Sequence, residues 1–332
     1  MGVFLLVGME GLFIQTVIFL VASLVLVKSA SYAVKRILHL AQLLSFTPFF
    51  TSFVVAGFVS IMPEFFVGVN AALDRVPEVG IGTLIGNNIV DLTLVVGIIA
   101  ILGKVIPTRS QTRVSTLPFL VAVGLPLGLM LDGNLSFLDG ALLVMGCLLY
   151  FGWFAQQQGV RDRHAPWSFN LILPELVKFS IAAIVIFFSA KFVVESSVGI
   201  AGILHVPEIF AGLFLISVGA ALPELTFSVQ AVLSRHKNIA LGDVLGNVAV
   251  DSTFSIGVMA MIYPFDISLG IIGISALFMV FAAMLLTTFL DSEGKLTRRD
   301  GIALIGLFVV FVVVQLTIHA AQEIIANGAV PH

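Results

Sequence analysis

Four acidic residues lie inside long apolar stretches of the chain, where charged side chains are rare. They are Glu64, Asp91, Glu224 and Asp251. In a bilayer, each charge at the midplane costs on the order of 2.5–3.5 kcal/mol, so four facing lipid would cost roughly 10–14 kcal/mol. We therefore expect these carboxylates to face one another, water or bound cations. Without a bound cation, mutual repulsion should keep some of them protonated.

The composition predicts that the surrounding medium is a membrane. Of 332 residues, 59% are hydrophobic and 11% are charged, against roughly 25% charged in ordinary soluble domains. The net charge of −3 and the scattered basic residues exclude nucleic-acid binding. The single cysteine, Cys147, has no partner for a disulfide, and the six histidines lack metal-ligand spacing.

The apolar runs predict an all-α polytopic membrane protein with ten transmembrane helices. The expected spans are 11–34, 45–73, 79–102, 115–131, 137–155, 172–195, 205–234, 239–263, 267–290 and 300–323. Of the 16 Lys and Arg residues, all but Arg75 and Lys191 fall in loops that join odd to even spans or in the parts of the spans that adjoin those loops. The positive-inside rule therefore places those loops in the cytoplasm and both termini outside. The first run, Gly11–Val27, is interpreted as a retained span rather than a signal peptide.

The two halves of the chain contain an internal repeat. Residues 57–97 align without gaps on 217–257, with a constant offset of 160. The matched pairs include Pro63-Glu64 with Pro223-Glu224, Gly86-Asn87 with Gly246-Asn247, and Val90-Asp91 with Val250-Asp251. Because five spans separate the copies, the second must be inverted in the membrane. We therefore predict two inverted five-helix repeats, 1–165 and 166–332, as in secondary transporters that bind substrate near the midplane.

Each copy also contains a predicted helix break. Pro63 and Pro223 remove a backbone donor, and Gly57 and Gly219 lie a few residues upstream. A span interrupted at these positions would expose carbonyl groups that an ion, water or packed protein must satisfy.

Helical spacing predicts that the four acids lie at one depth. Glu64 is about 14 Å from the end of its span and Asp91 about 18 Å from the start of its own, at about 1.5 Å per residue. Asn87 precedes Asp91 by four residues, as Asn247 precedes Asp251, so each amide shares a helix face with its acid. An all-oxygen cage of this kind favours Ca²⁺ over Mg²⁺.

Other residues of the repeat are predicted to support the ion site or the packing of the helices. Asp243 is predicted to lie nearer the cytoplasmic end of its span, as an access or supporting residue for the ion site. The pairs Gly82/Gly86 and Gly242/Gly246 have GxxxG spacing, and we expect them to serve close helix packing rather than ion contact.

With these motifs, the chain resembles the sodium/calcium exchangers of the calcium/cation antiporter superfamily, in their prokaryotic ten-span form. Its first copy reads Val-Ser-Ile-Met-Pro-Glu at 59–64 and Gly-Asn-Asn-Ile-Val-Asp at 86–91. Its second copy reads Gly-Ala-Ala-Leu-Pro-Glu at 219–224 and Gly-Asn-Val-Ala-Val-Asp at 246–251. The resemblance implies that Glu64 and Glu224 are the central Ca²⁺ ligands, with Asp91 and Asp251 as flanking partners.

The chain departs from the family pattern mainly at hydroxyl side chains. Where the family commonly has Ser or Thr around Na⁺, this sequence has Ile61, Ala220, Ala221, Asn87 and Asn247. Ser60 is the one hydroxyl that matches, and acids at both flanking positions offer exchangeable protons. The predicted function is Ca²⁺ export in exchange for Na⁺, with H⁺ ranked almost equal as counter-ion.

The remaining expectations follow from that function. The protein is predicted to be a monomeric transporter of the plasma (inner) membrane, with no enzyme activity and no cofactor. The alternatives are an antiporter of Ca²⁺ or another divalent cation with H⁺, a cation channel, and an intramembrane aspartyl protease using Asp91 and Asp251. The protease alternative lacks the expected Gly-x-Gly-Asp context.

Overall fold

A computed structural model describes residues 2–44, 57–107, 116–158, 169–204, 206–233, 237–267 and 269–326, which are almost entirely helical. The α-helices are α1 (Gly2–Leu43), α2 (Gly57–Ser60), α3 (Met62–Leu73), α4 (Pro77–Val90), α5 (Val96–Gly103), α6 (Thr116–Leu129), α7 (Phe137–Gln158), α8 (Phe169–Leu204), α9 (Glu208–Phe210), α10 (Ser217–Leu233), α11 (Lys237–Val250), α12 (Ile256–Ile262), α13 (Ile274–Glu293) and α14 (Arg298–Ala326). Four π-helical segments join or precede helices, at Asp91–Val95, Ala211–Ile216, Asp251–Ser255 and Leu269–Gly273. A 3₁₀ turn, Met130–Asp132, follows α6.

Several helices are long and apolar enough to cross a bilayer. In the described residues, six stretches meet that condition: Glu10–Ile37, Pro77–Gly103, Leu171–Leu204, Ala240–Ile262, Gly270–Ser292 and Arg298–Ile318. Shorter apolar helices occupy Thr116–Asp132, Phe137–Gly152 and Ala211–Ala221. Every residue of a helix interior satisfies its backbone hydrogen bonds locally, which is the condition for a segment surrounded by lipid.

The two stretches that contain the repeated Asn and Asp residues lie in the centre of the molecule. In Pro77–Gly103 and Ala240–Ile262, 83% and 78% of the apolar window is buried, compared with 17% in Glu10–Ile37 and in Leu171–Leu204. The central helices are therefore shielded from lipid by the rest of the protein, whereas α1 and α8 present most of their surface outward.

α1 packs lengthwise on α8, and a charged cluster joins them near one end. The carboxylate of Glu175 accepts hydrogen bonds from Lys178 Nζ at 2.7 Å and from Arg36 Nη1 at 3.3 Å. His39 Nδ1 lies 3.5 Å from the same carboxylate. The bond between Arg36 and Glu175 therefore connects α1 to α8, although the two residues are 139 positions apart in the sequence.

Two short antiparallel strand pairs connect the halves of the chain. β1 (Val105–Pro107) pairs with β4 (Lys295–Thr297), with Ile106 opposite Leu296. β2 (Asn134–Leu135) pairs with β3 (Phe265–Asp266). Each pair joins two loops, one from each half of the chain, about 130 to 190 residues apart in sequence.

Candidate cation site

The structure brings the four acidic residues of the repeat into one buried neighbourhood. Glu64, Asp91 and Asp251 are 0% exposed, and Glu224 is 4% exposed. Glu64 interacts electrostatically with Glu224 and Asp251, and Asp91 interacts with all three other acids. These side chains come from α3, from α10 and from the two π segments that follow α4 and α11.

In the first copy, the helix break lies where the sequence predicts it. α2 begins at Gly57 and ends at Ser60, and α3 begins at Met62, with Ile61 between them. Pro63 lies in the first turn of α3, where its missing N–H is not needed. Glu64 therefore also lies in that first turn, near the positive end of the α3 dipole.

In the second copy, the predicted break at Gly219 and Pro223 is wrong. α10 runs without interruption through both residues, from Ser217 to Leu233. A proline in a helix removes one hydrogen bond, and surrounding protein can compensate for that loss. The departure from α geometry lies upstream instead, in the π segment Ala211–Ile216, after which the Ser217 hydroxyl donates to the Leu213 carbonyl.

A π segment begins at each flanking acid. Asp91–Val95 and Asp251–Ser255 are related by the same offset of 160 residues as the motifs. In each segment a threonine hydroxyl donates to the carbonyl four residues earlier, from Thr93 to Ile89 at 2.5 Å and from Thr253 to Ala249 at 2.6 Å. Such bonds perturb helices, and π turns often mark functional sites. The matched threonines were the available sequence signal for this feature.

The two matched asparagines have different environments. Asn247 Oδ1 accepts a hydrogen bond from Ser60 Oγ at 2.8 Å, and Asn247 Nδ2 donates to Glu224 Oε1 at 2.8 Å. Asn87 lies beside Asp251, and both of its amide atoms are buried without a hydrogen bond of ordinary geometry among the described residues. Asn247 therefore already links Ser60 of the first copy to Glu224 of the second, whereas Asn87 has no such link.

Three polar residues near the acids have no polar counterpart in the other copy. Ser255 Oγ donates to Asp251 Oδ1 at 2.7 Å, and Asn88 Nδ2 donates to Ser252 Oγ at 3.1 Å. At the offset of 160, Ser255 and Ser252 align with Val95 and Leu92, and Asn88 aligns with Val248. The internal repeat of the sequence therefore does not identify these three residues.

The carboxylates have many unsatisfied oxygen atoms. Both oxygens of Glu64 and Asp91, together with Glu224 Oε2 and Asp251 Oδ2, are buried and accept no hydrogen bond of ordinary geometry from the described residues. Asp91 and Glu224 lie within hydrogen-bonding reach of each other. Within those ranges, no Lys, Arg or His forms an ion pair with any of the four. Ionised groups buried in this way are unstable unless a cation or a proton compensates them.

The acids are neighbours, but they do not form a closed coordination sphere. Among the residues that the structure describes, no group of three or more His, Cys, Asp or Glu side chains is positioned to hold a metal ion.

Glycines allow the central helices to approach one another. A Cβ on Gly82 would lie 2.7 Å from the Ile209 carbonyl oxygen, and one on Gly86 would lie 2.7 Å from the Leu213 carbonyl oxygen. A Cβ on Gly242 would meet nothing within 4 Å in the described part of the chain. The packing role of Gly242 and Gly246 therefore stays a prediction, because the stretch equivalent to 209–217 is 49–57, mostly outside the described residues.

Comparison with known proteins identifies the family. Residues 14–155 and 175–317 match the family described as sodium/calcium exchanger protein. The chain belongs to this family. Its sequence is 27% identical over 299 residues to the putative antiporter CaxA of Alkalimonas amylolytica, covering 86% of this chain and 92% of that protein.

Two solved structures have the fold of this exchanger-family chain. The H⁺/Ca²⁺ exchanger CAX superposes with a TM-score of 0.78 at 17% identity, covering 95% of this chain and 87% of that one. The sodium-calcium exchanger NCX_Mj superposes with a TM-score of 0.66 at 22% identity, covering 91% and 99%. Membership of the exchanger family confirms the prediction of an integral membrane transporter rather than an enzyme.

Proposed function

We propose that this chain is a secondary-active antiporter that exports Ca²⁺ in exchange for Na⁺ or H⁺ by alternating access. The observation that carries the proposal is the burial of four carboxylates, Glu64, Asp91, Glu224 and Asp251, that have no basic partner in the described residues; six of their eight oxygens also accept no hydrogen bond of ordinary geometry there. Hard cations such as Ca²⁺ take six to eight oxygen ligands, and buried carboxylates with nearby amides supply such ligands. We assign these four acids as the ion ligands, and Asn87, Asn247 and Ser60 as supporting residues.

We further propose that ten spans form two inverted repeats, 1–165 and 166–332. The strand pairs support this symmetry, since the offset of 160 carries β1 onto 265–267 and β2 onto 294–295, which overlap β3 and β4. Two glycine contacts support the symmetry as well, because the offset of 160 carries Gly97 onto Gly257 and carries 141, the neighbour of Gly140, onto Gly301. A Cβ on Gly97 would lie 2.9 Å from the Gly301 carbonyl oxygen, and one on Gly257 would lie 2.8 Å from the Gly140 carbonyl oxygen.

Two kinds of observation bear on the counter-ion, and they favour different ions. Of the two similar exchangers of known structure, NCX_Mj is named for sodium and CAX for H⁺. The family assignment favours Na⁺, whereas the replacement of hydroxyls and the presence of acids at both Asp91 and Asp251 favour protons. We rank Na⁺ first, with H⁺ almost equal.

In the proposed mechanism, α1 and α8 move together against the central helices. The bond between Arg36 of α1 and Glu175 of α8 supports this joint movement, as does the small buried fraction of both helices. An empty and ionised site in hydrocarbon is too costly to reorient, so access changes only when cations or protons occupy it. Because of that requirement, the protein exchanges ions and does not let them leak across the membrane.

We also propose that the protein lies in the plasma (inner) membrane as a monomer, with both termini outside.

Flux into proteoliposomes tests this function. We expect Ca²⁺ uptake to follow an imposed Na⁺ gradient, and to follow a pH gradient instead if H⁺ is the counter-ion. Uptake should cease when an ionophore collapses the driving gradient, because the exchange is coupled. Ca²⁺ flux that continues after both gradients are collapsed would indicate a channel and contradict the proposal.

The hydrogen bond from Ser255 to Asp251 leads to a second prediction. A bond to a charged acceptor contributes about 1.5–3 kcal/mol, so Ser255→Ala should raise the Ca²⁺ concentration for half-maximal uptake by about 10-fold. Ser255→Thr should retain most of the affinity because it keeps the hydroxyl. Ser189→Ala is the control, since Ser189 Oγ donates at 2.7 Å only to Val185 O of its own helix. An equal effect of the two alanine variants would contradict the assignment.

A further inference from the structure

We propose that Asp243 forms a second cation station, on the Lys237 side of the four-acid site, where a partly hydrated divalent cation is held before it moves to the centre. This inference builds on the proposed export of Ca²⁺. It adds a fifth carboxylate to the proposed ion path, on one side of the four-acid site only.

Asp243 lies on the same stripe of its helix as the central residues. It precedes Asn247 by four residues and Asp251 by eight, so the three side chains follow one helix face. At about 1.5 Å per residue, Asp243 is about 12 Å from Asp251 and about 9 Å from the start of α11 at Lys237. It therefore lies between the end of the helix and the central site.

The carboxylate of Asp243 is buried but slightly accessible. Its exposed fraction is 9%, compared with 0% for Asp91 and 4% for Glu224. Within the described ranges, no side chain forms an ion pair or a hydrogen bond with it. A buried carboxylate without a partner requires a compensating positive charge.

The neighbours of Asp243 show where that charge would lie. Asp243 interacts electrostatically with both Asp91 and Glu224. Asp91 is fully buried, and the side chain within its hydrogen-bonding reach is another acid, Glu224. Like charges in a low-dielectric interior repel one another, and a divalent cation held at Asp243 would turn that repulsion into attraction.

The equivalent position in the first copy has no such group. Thr83 aligns with Asp243 at the offset of 160. It is fully buried, and its hydroxyl donates to the Val79 carbonyl at 2.8 Å. If Asp243 served only helix packing, we would expect a residue of the same kind at the equivalent position, but Thr83 is neutral. The acid is therefore present in the second copy alone, and so on one side of the central site.

The basic residues near the start of α11 in the sequence indicate from which side of the membrane a cation would reach Asp243. In the sequence, Arg235 lies two residues before Lys237, the first described residue of α11, and the positive-inside rule places such basic residues in the cytoplasm. In the proposed topology, Asp243 thus lies on the cytoplasmic approach, where exported Ca²⁺ enters. A negative group in a narrow cleft raises the local concentration of cations and their rate of binding.

Initial rates of Ca²⁺ uptake by inside-out and right-side-out vesicles test the station. For Asp243→Asn, we expect the Ca²⁺ concentration for half-maximal uptake to rise about 10-fold when Ca²⁺ enters from the cytoplasmic face. We expect a change of less than about twofold from the opposite face, since the station is on one side only. Asp243→Glu keeps the charge, so its Ca²⁺ concentration for half-maximal uptake from the cytoplasmic face should stay close to that of wild type.

Glu195→Gln is the matched control. It removes the same charge from an exposed position on α8, 3.8 Å from Lys191 Nζ, and it should leave both faces unchanged. Equilibrium Ca²⁺ binding to the purified Asp243→Asn protein should stay within about twofold of wild type, because the station acts on access rather than on the final site. If Asp243→Asn does not fold, Asp243→Thr replaces it, since threonine is the residue at the equivalent position.

The outcomes separate the station from the function on which it builds. Equal changes at both faces, with a matching loss of equilibrium affinity, would make Asp243 part of the central site and overturn the station. No change at either face would overturn it as well. Absence of gradient-driven Ca²⁺ uptake by the wild-type protein would overturn the exchange proposal itself, and the station with it.

Discussion

Replacing Glu64 or Glu224 with glutamine is expected to reduce Ca²⁺ exchange by at least about 100-fold while leaving the fold intact. Each substitution keeps the shape of the side chain and removes one charge from the buried cluster. Loss of one charged ligand in a site without basic partners removes about 3 kcal/mol or more of cation binding, which is about 100-fold in affinity. Exchange would fall because the remaining site holds Ca²⁺ too weakly.

The two variants should also separate binding from folding. Glu64 and Glu224 are buried without cationic partners in the described residues, so neutral side chains should make the Ca²⁺-free protein equally stable or more stable. A ligand at about 100 times its Kd adds about 2.7 kcal/mol to the stability of the protein that binds it. Wild type should therefore show a higher Tm with Ca²⁺, and both glutamine variants should lose that increase.

Thermal unfolding in detergent and vesicle flux together provide the measurement. Glu195→Gln again supplies a charge-matched control, since Glu195 is an exposed residue of α8. Undiminished Ca²⁺ flux in both glutamine variants would reject the assignment of Glu64 and Glu224. A lower Tm without Ca²⁺ would instead show that these acids stabilise the fold.

Much of the helical layout could be predicted because the bilayer allows few solutions. Apolar runs long enough to cross it must form helices, and the structure has helices in those runs. The repeat gave a reason to expect four acids together, because Glu64 and Glu224 could not both face lipid. Their proximity in the structure follows from the same energetic constraint.

The local geometry of the site could not be read from the sequence in the same way. Pro223 resembles Pro63 in sequence, yet α10 continues through it while the first copy breaks at Ile61. Whether a proline interrupts a helix depends on what the surrounding protein supplies to the freed carbonyl, which no single segment specifies. The bond between Ser60 and Asn247 likewise joins residues 187 positions apart.

Replacing Gly212 with alanine should have the largest effect on stability. A Cβ at this position would lie 2.4 Å from the Val79 carbonyl oxygen and 2.8 Å from the Thr83 amide nitrogen. Both obstacles are backbone atoms of α4, so no side-chain rotation relieves the clash. We expect a loss of about 3 kcal/mol in unfolding free energy, the upper range for an overpacked interior. Exchange should fall too, because displacement of α4 moves Asn87 and the following Asp91.

Gly219→Ala is the matched control for this prediction, in the same polypeptide stretch and with the same added methyl group. A Cβ on Gly219 would meet nothing within 4 Å among the residues that the structure describes. Because Gly219 lies within α10, alanine there should stabilise the helix by about 0.5–1 kcal/mol. The two substitutions should therefore shift Tm in opposite directions in detergent. Equal shifts would contradict the close approach of Gly212 to α4, and with it the packing by which α4 and its π segment hold Asp91 beside the acids of the second copy.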